Sequence, residues 1–513
     1  MMLSHTPLYS LSQVRACIAN QPLLAAVVQS FHQFVQAIKQ PTELWLVGGA
    51  VRDAFQWGTL GADWDVVPVG LSPTQCEEWA QQLATTLSAT WVPLHPEWGM
   101  QRVVISLDAE GPIFLDISAC QGLTLNEDLA RRDLTCNAMA VGLVVPPDSK
   151  TWLDPFNGLH DLSAGCIRAV SQANLVDDPL RLLRVYRLAA TTQATRLDAD
   201  TEGWVAAHAH RLWQAAPERI TTEWLRLLSA APCSFWLQAM GRSGLLEVLL
   251  PELSPTRQIP PNSHHHLPLW EHSLELVHQA ETAVFTALPP ALQNDLTVPL
   301  VKGYSGAGIT RQGLIHWGCL LHDVGKPDTH QILEDGRHAF HGHDRVGEAI
   351  TQAIAERFKL GREWTQTLCM LVRWHLYPCA FSPRSSRKSL LKCYRRLGHR
   401  TEDVLVLAMA DRLSTRGPSV TTEQVTSDMA DLHGLLADYQ AFRPTLQQPP
   451  LLTGHEVMAT LGLLPGPAVG QVLQQVRDRQ LLGELQSSQE AIDWIQQQAL
   501  ASLLRSTPSS LQV

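Results

Sequence analysis

A glycine pair followed closely by two aspartates constrains this chain more than any other feature. Residues 46–53 read LVGGAVRD, and Asp63 and Asp65 follow soon after. Residues 43–47 are mostly apolar and predict a short strand, and Gly48 and Gly49 remove side chains where that strand turns into a helix. Backbone N–H groups at the helix start can then approach a phosphate chain, with Arg52 in the first turn. The pattern therefore predicts a strand, a tight turn and a helix N-terminus arranged around an anion.

The two aspartates lie on a second predicted strand. Because strand side chains alternate between faces, Asp63 and Asp65 point the same way and can hold a divalent cation, whereas Trp64 and Val66 point into the core. Two such carboxylates can support phosphoryl transfer assisted by two metal ions. Each feature alone would indicate only a tight turn or a solvated strand edge. Their combination in this order indicates nucleotidyl transfer.

With these residues the chain resembles the class II tRNA nucleotidyltransferase and bacterial poly(A) polymerase family. Four further segments resemble later motifs of that family in the same order, at residues 131–138, 154–161, 177–187 and 218–223. The third motif of the family couples head to neck, and the fifth braces the neck helix. The resemblance implies a nucleotide-binding set of Gly48, Gly49, Arg52, Arg131, Arg132, Asp133, Asn137, Asp178, Arg181, Arg184 and Arg187.

Within the 177–187 segment, Asp178 and Arg181 also make chemical sense as a base-selecting pair. Three residues apart on a helix, they would be neighbours on one face and would present a carboxylate beside a fork of N–H donors. The carboxylate would accept from an exocyclic amine and the guanidinium would donate to the ring, which suits cytosine and adenine. The alternative for this segment alone is an N-terminal aspartate cap followed by a helical salt bridge.

Two positions depart from the family pattern. Asp177 stands where the family has Glu, which leaves its orienting role open. Residues 119–124 form a short connection where many relatives have a longer flexible loop, which is associated with the switch from adding C to adding A. The short loop resembles the CC-adding subgroup, but CC-only, A-only and complete CCA addition all stay open.

The second half of the chain carries a different set of metal-ligand residues. Their order resembles the HD phosphohydrolase superfamily: His272, His322, Asp323, His343, His375 and Asp411. Histidine and carboxylate ligands without cysteine favour a divalent transition metal such as Mn, Ni, Co, Fe or Zn, with the identity open. A bound metal could activate water for phosphoester hydrolysis. The histidine run at 264–266 is interpreted as a solvated loop.

The formal net charge of −10 requires local positive charge if the chain binds RNA. The neck arginines offer some, and a second segment is basic without an intervening acidic residue: Arg384, Arg387, Lys388, Lys392, Arg395, Arg396 and Arg400. The alternative for this segment is a solvated helix face. The 10 cysteines form no C-x-x-C pair, and we find no signal segment or apolar run of transmembrane length, so we expect a cytoplasmic protein without membrane association.

These observations predict an α+β fold with a small mixed-sheet nucleotidyltransferase head at 1–174 and a helical neck at 175–260. An HD domain would follow at 261–420, and a helical body and tail at 421–513. A leading helix is expected at 12–39 and head strands at 44–47, 64–67, 102–107 and 113–117. Asp116, on the last strand, could supply a third carboxylate, although a purely structural role is favoured.

The predicted function is template-independent addition of CMP or AMP to tRNA 3′ ends. Its partners would be tRNA, CTP and ATP, and Asp63 and Asp65 would hold Mg²⁺. The alternatives are a poly(A) polymerase that uses ATP on general RNA ends, an HD phosphohydrolase with an inactive head, and a noncatalytic RNA-binding protein. The sequence indicates no oligomeric state.

Overall fold

The computed structural model describes residues 8–95, 99–107, 111–147, 149–300 and 310–506. The chain divides into two compact units. The first comprises Met1–Arg373 with Ser414–Pro418, and the second comprises Trp374–Leu413 with Ser419–Val513. The first unit contains the sheet and most of the predicted site residues.

Two helices lead the chain, α1 (Leu11–Ala19) and α2 (Pro22–Ile38). We expected one helix at 12–39, and Pro22 explains the break. Proline has no backbone N–H and favours the first turn of a helix, so the chain ends one helix at Asn20 and starts another. Phe31 of α2 packs edge-on against Trp79, with the ring centroids 4.9 Å apart.

The head is built on a seven-stranded mixed sheet in the order β3-β4-β5-β2-β1-β6-β7. Only β2 and β5 run parallel within it, and each predicted strand lies inside an observed one. The α+β fold class is confirmed. The strands are β1 (Glu43–Val47), β2 (Asp63–Val69), β3 (Thr90–His95), β4 (Met100–Leu107), β5 (Gly111–Ile117), β6 (Ala140–Val144) and β7 (Trp152–Leu153).

Three helices complete the head, α3 (Gly49–Trp57), α4 (Pro73–Thr86) and α5 (Leu125–Leu129). Helix α3 packs on β1 and β2, and α4 packs on β3 and β4. Trp64 and Val66 of β2 are buried, as the strand alternation predicts, whereas Asp63 and Asp65 are not. The sheet thus buries its apolar face and leaves the aspartates accessible.

The chain after the head is almost entirely helical. The helices next to the head are α6 (Gly158–Ser163), α7 (Gln172–Asp177), α8 (Leu180–Thr191), α9 (Ala199–His208), α10 (Pro217–Leu228), α11 (Cys233–Arg242) and α12 (Leu245–Leu249). Strands β8 (Cys166–Ile167) and β9 (Arg196–Leu197) form a short parallel pair between them. Helix α8 packs against α10, with Leu183, Tyr186 and Trp224 fully buried.

The rest of the first unit contains the histidine-rich segment. Its helices are α13 (Leu269–Gln279), α14 (Phe285–Ala287), α15 (Pro290–Thr297), α16 (Arg311–Leu321), α17 (Lys326–Thr329), α18 (His343–Arg357) and α19 (Arg362–Trp374). A hairpin of β10 (Gln331–Ile332) and β11 (His338–Ala339) lies between α17 and α18.

The second unit is helical throughout its described part. Its helices are α20 (Arg387–Leu397), α21 (Thr401–Ser414), α22 (Thr422–Gln447), α23 (Gly454–Leu461), α24 (Pro467–Leu481) and α25 (Ser488–Ser506). Leu452, Val457, Val469, Val476 and Ile495 form its own apolar cluster near the C-terminus. Among the helices that the structure describes, none is long and apolar enough to cross a bilayer.

Candidate active site

Gly48 brings the glycine turn and the aspartate strand into contact. It lies between β1 and α3 with φ +75° and ψ −138°, a conformation that L side chains rarely adopt. A Cβ atom at this position would lie 2.6 Å from Arg132 Nη1 and 2.7 Å from Asp65 Oδ2. At Gly49 an added Cβ would make only ordinary contact with Arg52, at 3.6 Å. Within the protein itself, the close approach therefore requires glycine at position 48 and not at position 49.

Three carboxylates lie on neighbouring strands beside this turn. In the parallel pairing of β2 with β5, Asp65 lies opposite Asp116. Partial burial raises the pKa of Asp63 and of Asp65, and the charge of Asp116 raises both further. Asp116 is itself engaged by Arg102, which donates from Nε and Nη2 to its two oxygens at 2.7 Å each. Asp63 and Asp65 therefore form a crowded anionic pair, the donor type that divalent cations prefer.

A chain of charged hydrogen bonds starts at Arg52, just after the glycine turn. It enters the segment at residues 131–138, which resembles the second motif of the family. Arg52 donates to Asp53 at 2.7 Å and to Asn137 Oδ1 at 2.6 Å. Asn137 in turn donates to Asp133 Oδ1 at 3.0 Å, and Arg184 donates to Asp133 Oδ2 at 2.8 Å. Burial alone would raise the pKa of Asp133, but Arg184 and Asn137 together hold it well below its ordinary value.

The same chain continues inside the neck. Arg187 donates to Glu223 Oε2 at 2.7 Å, and Arg184 lies 3.5 Å from the other oxygen of Glu223. Glu223 is buried in α10, so it joins α10 to α8. We call the residues from Arg52 through Asn137, Asp133 and Arg184 to Glu223 the head network. Asp133, predicted to bind nucleotide, has both oxygens occupied within this network.

The predicted pairing of Asp178 with Arg181 is not formed. Asp178 precedes Pro179, and a residue before proline avoids the helical region, so Asp178 is extended at φ −128° and lies outside α8. Its Oδ1 accepts from the backbone N–H of Leu180 at 3.3 Å, as an aspartate cap would. Its carboxylate pairs with Arg219, Nη2 to Oδ2 at 2.8 Å. The expected helical neighbourhood of Asp178 and Arg181 is therefore wrong.

Arg181 is anchored elsewhere, through one nitrogen of its guanidinium. Nη1 donates to the carbonyl oxygens of Arg131 at 2.9 Å and Asn174 at 3.0 Å, and burial lowers the pKa of this arginine. Arg131 itself is exposed, whereas Arg132 lies 3.5 Å from Asp65 Oδ2. Arg181 thus connects the segment at residues 177–187 to the segment at residues 131–138.

About half of the predicted residues nevertheless line one cleft of ≈290 Å³. The predicted residues outside its lining are Gly48, Gly49, Arg52, Asp63, Asn137 and Arg187. Its lining includes Asp65 and Asp116 from the strands, Arg131, Arg132 and Asp133 from the second motif, and Asp178, Arg181 and Arg184 from the neck. Arg219, which the sequence analysis gave no individual role, also lines it. The cleft therefore combines an anionic edge that suits a metal ion with a cationic edge that suits phosphates.

The short connection at residues 119–124 is held against α5. Gln121 N–H donates to Asp128 at 3.0 Å, and Leu123 and Thr124 N–H both donate to Glu127 Oε2, the first at 2.5 Å. Thr124 and Glu127 form a capping box at the start of α5. The connection is therefore a fixed turn, with the Leu123 side chain 91% exposed.

A second cluster lies in the histidine-rich part of the first unit. His272, His322 and Asp323 are buried, and each offers a ligand atom within 4.8 Å of the others. His343 Nε2 lies 3.3 Å from Asp323 Oδ1, because α18 packs closely on the segment that follows α16. A Cβ at Gly325 would lie 2.2 Å from the carbonyl oxygen of His343, so only glycine allows this packing.

The backbone sets the tautomer of two of these histidines. His322 Nδ1 donates to Cys319 O and His343 Nδ1 donates to Phe340 O, both at 2.8 Å. The Nε2 atoms then point at Asp323, with His322 Nε2 at 3.0 Å. Metal-binding histidines use the same arrangement, in which one ring nitrogen donates to a carbonyl and the other keeps its lone pair for the metal. The donor set therefore fits a divalent metal.

The other predicted residues of this cluster have separate outcomes. His375 is buried immediately after α19, and Asp411 lies in α21; both belong to the second unit, so their place in the metal site stays a prediction. In the 264–266 run, His264 and His266 are exposed, as a solvated loop predicts, whereas the ring of His265 lies 4.4 Å from that of His272. The solvated-loop interpretation is thus wrong for His265.

The basic segment of the second unit is less free than its sequence indicates. Four of its seven cations lie beside carboxylates: Arg384 by Asp431, Arg387 by Asp438, Arg395 by Asp478 and Arg400 by Asp403. Lys388, Lys392 and Arg396 are exposed and line a pocket of ≈500 Å³ along α20. We call these three residues the basic face of α20.

Comparison with known protein families matches three regions of the chain. Residues 44–168 match the poly A polymerase head domain, and residues 196–256 match the probable RNA and SrmB-binding site of polymerase A. Residues 297–416 match the HD domain. The first match contains the glycine turn and the aspartate strand, and the third contains most of the histidine cluster.

Curated relatives extend the similarity over most of the chain. The A-adding tRNA nucleotidyltransferase of Deinococcus radiodurans is 34% identical over 88% of this chain and 95% of its own. The CC-adding tRNA nucleotidyltransferase of Thermus thermophilus is 33% identical over 88% of this chain and 92% of its own. Relatives with different nucleotide preferences are therefore about equally similar.

Solved structures show the same fold. A CCA-adding enzyme complexed with CTP aligns with a TM-score of 0.61 at 18% identity, covering 97% of this chain and 99% of that one. The CCA-adding enzyme of Thermotoga maritima complexed with tRNA aligns with a TM-score of 0.58 at 18% identity, covering 97% and 100%.

Proposed function

Because this chain belongs to the tRNA nucleotidyltransferase and poly(A) polymerase family, we propose that it adds CMP, AMP or both to tRNA 3′ ends without a template. One observation carries the proposal. Asp65 of the aspartate strand lines the same cleft as Asp178 and Arg181, the candidate base-selecting residues. A nucleoside triphosphate in this cleft would meet groups for its phosphates and for its base.

Asp63 and Asp65 would hold Mg²⁺ in this reaction. The fit rests on their surroundings: burial and the charge of Asp116 raise the pKa of both carboxylates, and a bound cation would stabilise their charged forms. When bound, the metal would align the 3′-hydroxyl with the α-phosphate and neutralise the charge of the departing pyrophosphate. Arg132, beside Asp65, and the N-terminus of α3 would hold the triphosphate.

Asp178 and Arg181 would read the base in place of a template. The carboxylate would accept from the exocyclic amine of cytosine or adenine, groups that uracil and guanine replace with carbonyls at the equivalent edge. Arg181 uses Nη1 for its two carbonyl contacts, and its remaining N–H donors can face the base.

A restriction to CC addition is the second candidate, and the fixed turn at residues 119–124 favours it. Its backbone N–H groups are bound to Asp128 and Glu127, which leaves little freedom for rearrangement between C and A addition. The two similar relatives, one A-adding and one CC-adding, leave both outcomes open.

Extension of defined tRNA transcripts tests the proposal. Three transcripts, lacking CCA, lacking CA and lacking only the terminal A, are incubated with Mg²⁺ and with CTP and ATP singly and together, and the products are resolved to one nucleotide. We expect CMP addition to the first, with arrest after CC if the protein adds only CC. AMP addition only to the transcript that lacks the terminal A would indicate an A-adding enzyme. Extension of an unrelated RNA with ATP alone would indicate a poly(A) polymerase instead. Asp65→Ala is the control and should abolish every addition.

We propose further that the histidine cluster binds a divalent transition metal and hydrolyses phosphoesters. The tautomers of His322 and His343 support metal binding. The adjoining cavity of ≈730 Å³ is lined by Lys326 and Arg337, which pair with Asp323 and Asp335, so an anionic substrate would have to compete with these carboxylates. Elemental analysis of the purified protein would identify the metal, and loss of phosphomonoester and phosphodiester hydrolysis in His322→Ala would test the activity.

The basic face of α20 would contact the RNA backbone. Its three cations are exposed and line one pocket, so several phosphates could be met together. We place the protein in the cytoplasm, because all 10 cysteines are free thiols, as a reducing compartment favours.

A further inference from the structure

The ion pair between Asp178 and Arg219 occupies the place expected for base recognition. Arg219 lies in the first turn of α10, and its Nη2 and Nη1 lie 2.8 Å and 3.5 Å from the two oxygens of Asp178. Both side chains line the cleft that contains Asp65. The Arg219 side chain is 55% exposed and that of Asp178 is 29% exposed, so a ligand can reach both.

The neighbouring arginines are committed to other acceptors. Arg181 donates through Nη1 to two backbone carbonyls, and Arg184 donates to Asp133 in the head network. Arg219 is thus the guanidinium that orients the Asp178 carboxylate in this structure. Because a carboxylate has about four acceptor sites, Asp178 can keep Arg219 and still accept from a base amine.

We propose that Arg219 is a positioning residue for base selection, acting through Asp178. By holding the carboxylate in one orientation, Arg219 makes it a fixed acceptor at the edge of the cleft. Cytosine and adenine offer an amine to such an acceptor, whereas uracil and guanine offer a carbonyl that it repels. Without Arg219, the carboxylate keeps, among the described residues, only the 3.3 Å hydrogen bond from Leu180 N–H, so it turns more freely and repels a base carbonyl less strongly. This inference rests on the proposed nucleotidyl transfer.

The measurement is kcat/KM for CTP and for UTP on a tRNA transcript lacking CCA. An exposed ion pair of this kind contributes about 0.2–1 kcal/mol, so we expect Arg219→Ala to lower the CTP/UTP ratio by up to about fivefold. Most of the change should appear in KM. Arg219→Lys keeps the charge and should recover part of the ratio, whereas Arg219→Gln, with similar length and no charge, should not.

Arg257→Ala provides the matched control. Arg257 is also a partly exposed arginine of the first unit, paired with Glu247 at 2.7 Å, and lies outside the lining of the cleft. Its removal should leave the CTP/UTP ratio unchanged, and circular dichroism would verify the fold of every variant.

The possible failures are distinct. If the wild-type protein extends no transcript, the proposed function is wrong. If the wild type extends tRNA and the ratio of Arg219→Ala equals that of the wild type, the role of Arg219 is refuted. An equal fall in kcat/KM for CTP and for UTP in a folded Arg219→Ala variant would also refute the role in base selection. That result would assign Arg219 to triphosphate or tRNA binding.

Discussion

Replacement of Gly48 by alanine tests the geometry of the site most directly. At φ +75° and ψ −138° a non-glycine residue costs about 1–3 kcal/mol. The added Cβ would also lie 2.7 Å from Asp65 Oδ2 and 2.6 Å from Arg132 Nη1, so both side chains must withdraw by several tenths of an ångström. A displacement approaching 1 Å at a reacting centre costs about 100-fold in rate, equivalent to about 2.7 kcal/mol.

We therefore expect Gly48→Ala to lower kcat/KM for CMP addition about 100-fold in a protein that still folds. The assay is steady-state extension of a tRNA transcript lacking CCA, with circular dichroism to verify the fold. Gly203→Ala is the control, because Gly203 lies within α9 and a Cβ there would meet no described atom within 4 Å. That variant should keep full activity and gain about 0.5–1 kcal/mol of stability. Unchanged kcat/KM in Gly48→Ala would refute the argument.

Four further outcomes follow from the structure. Gly49→Ala should fold normally, but its added Cβ should hinder the approach of the triphosphate to the start of α3 and raise KM for CTP severalfold. An unchanged KM would show that Gly49 does not contact the triphosphate. Asp133→Asn should cost about 2 kcal/mol in urea unfolding at neutral pH, because it removes the charged hydrogen bond between Arg184 and a buried carboxylate and leaves Arg184 with Glu223 as its acidic partner. Since the folded-state pKa of Asp133 is lowered, its contribution is present above about pH 4 and is lost as the pH falls further, so the variant should show weaker acid dependence. Asp323→Asn should reduce the bound metal measured by elemental analysis while CMP addition continues; retained metal would exclude Asp323 as a ligand. Reversing the charges of Lys388 and Lys392 should weaken tRNA binding and should reduce the slope of log K against log salt concentration by about 1.5. An unchanged slope would show that the basic face of α20 does not contact the tRNA.

Local sequence features predicted the strand and the turn that position the candidate site residues. The strand containing Asp63 and Asp65 and the turn at Gly48 depend on side-chain alternation and on glycine conformation, which act over a few residues. The order of the motifs then indicated which segments meet. About half of the residues predicted from them do line one cleft.

Partners that come from distant segments were not predictable in the same way. Arg102 reaches Asp116 because the two residues are opposite each other in the antiparallel register of β4 and β5, and nothing within either segment sets that register. The acidic partners of the basic segment likewise come from α22 and α24. The charge of this segment taken alone therefore indicates more cations available for RNA than the structure leaves unpaired with carboxylates.

The sequence already indicates that Asp178 lies outside the helix that contains Arg181, although we expected both residues on one helix. Pro179 follows Asp178, and a residue before proline avoids the helical region. The spacing rule for neighbours on a helix therefore does not hold between Asp178 and Arg181. The partner Arg219 lies 41 positions further along the chain and could be found only in the structure.

The head network also limits how the enzyme can change its choice of base. Because Asp133 joins Asn137 on one side to Arg184 on the other, charged hydrogen bonds connect the segment that follows the glycine turn to the neck helix. A hinge between them would have to break a buried ionic contact at each nucleotide addition. If the enzyme adds both cytidine and adenosine, its choice between them would depend on side chains at the edge of the cleft and not on a movement of the neck helix relative to the aspartate strand.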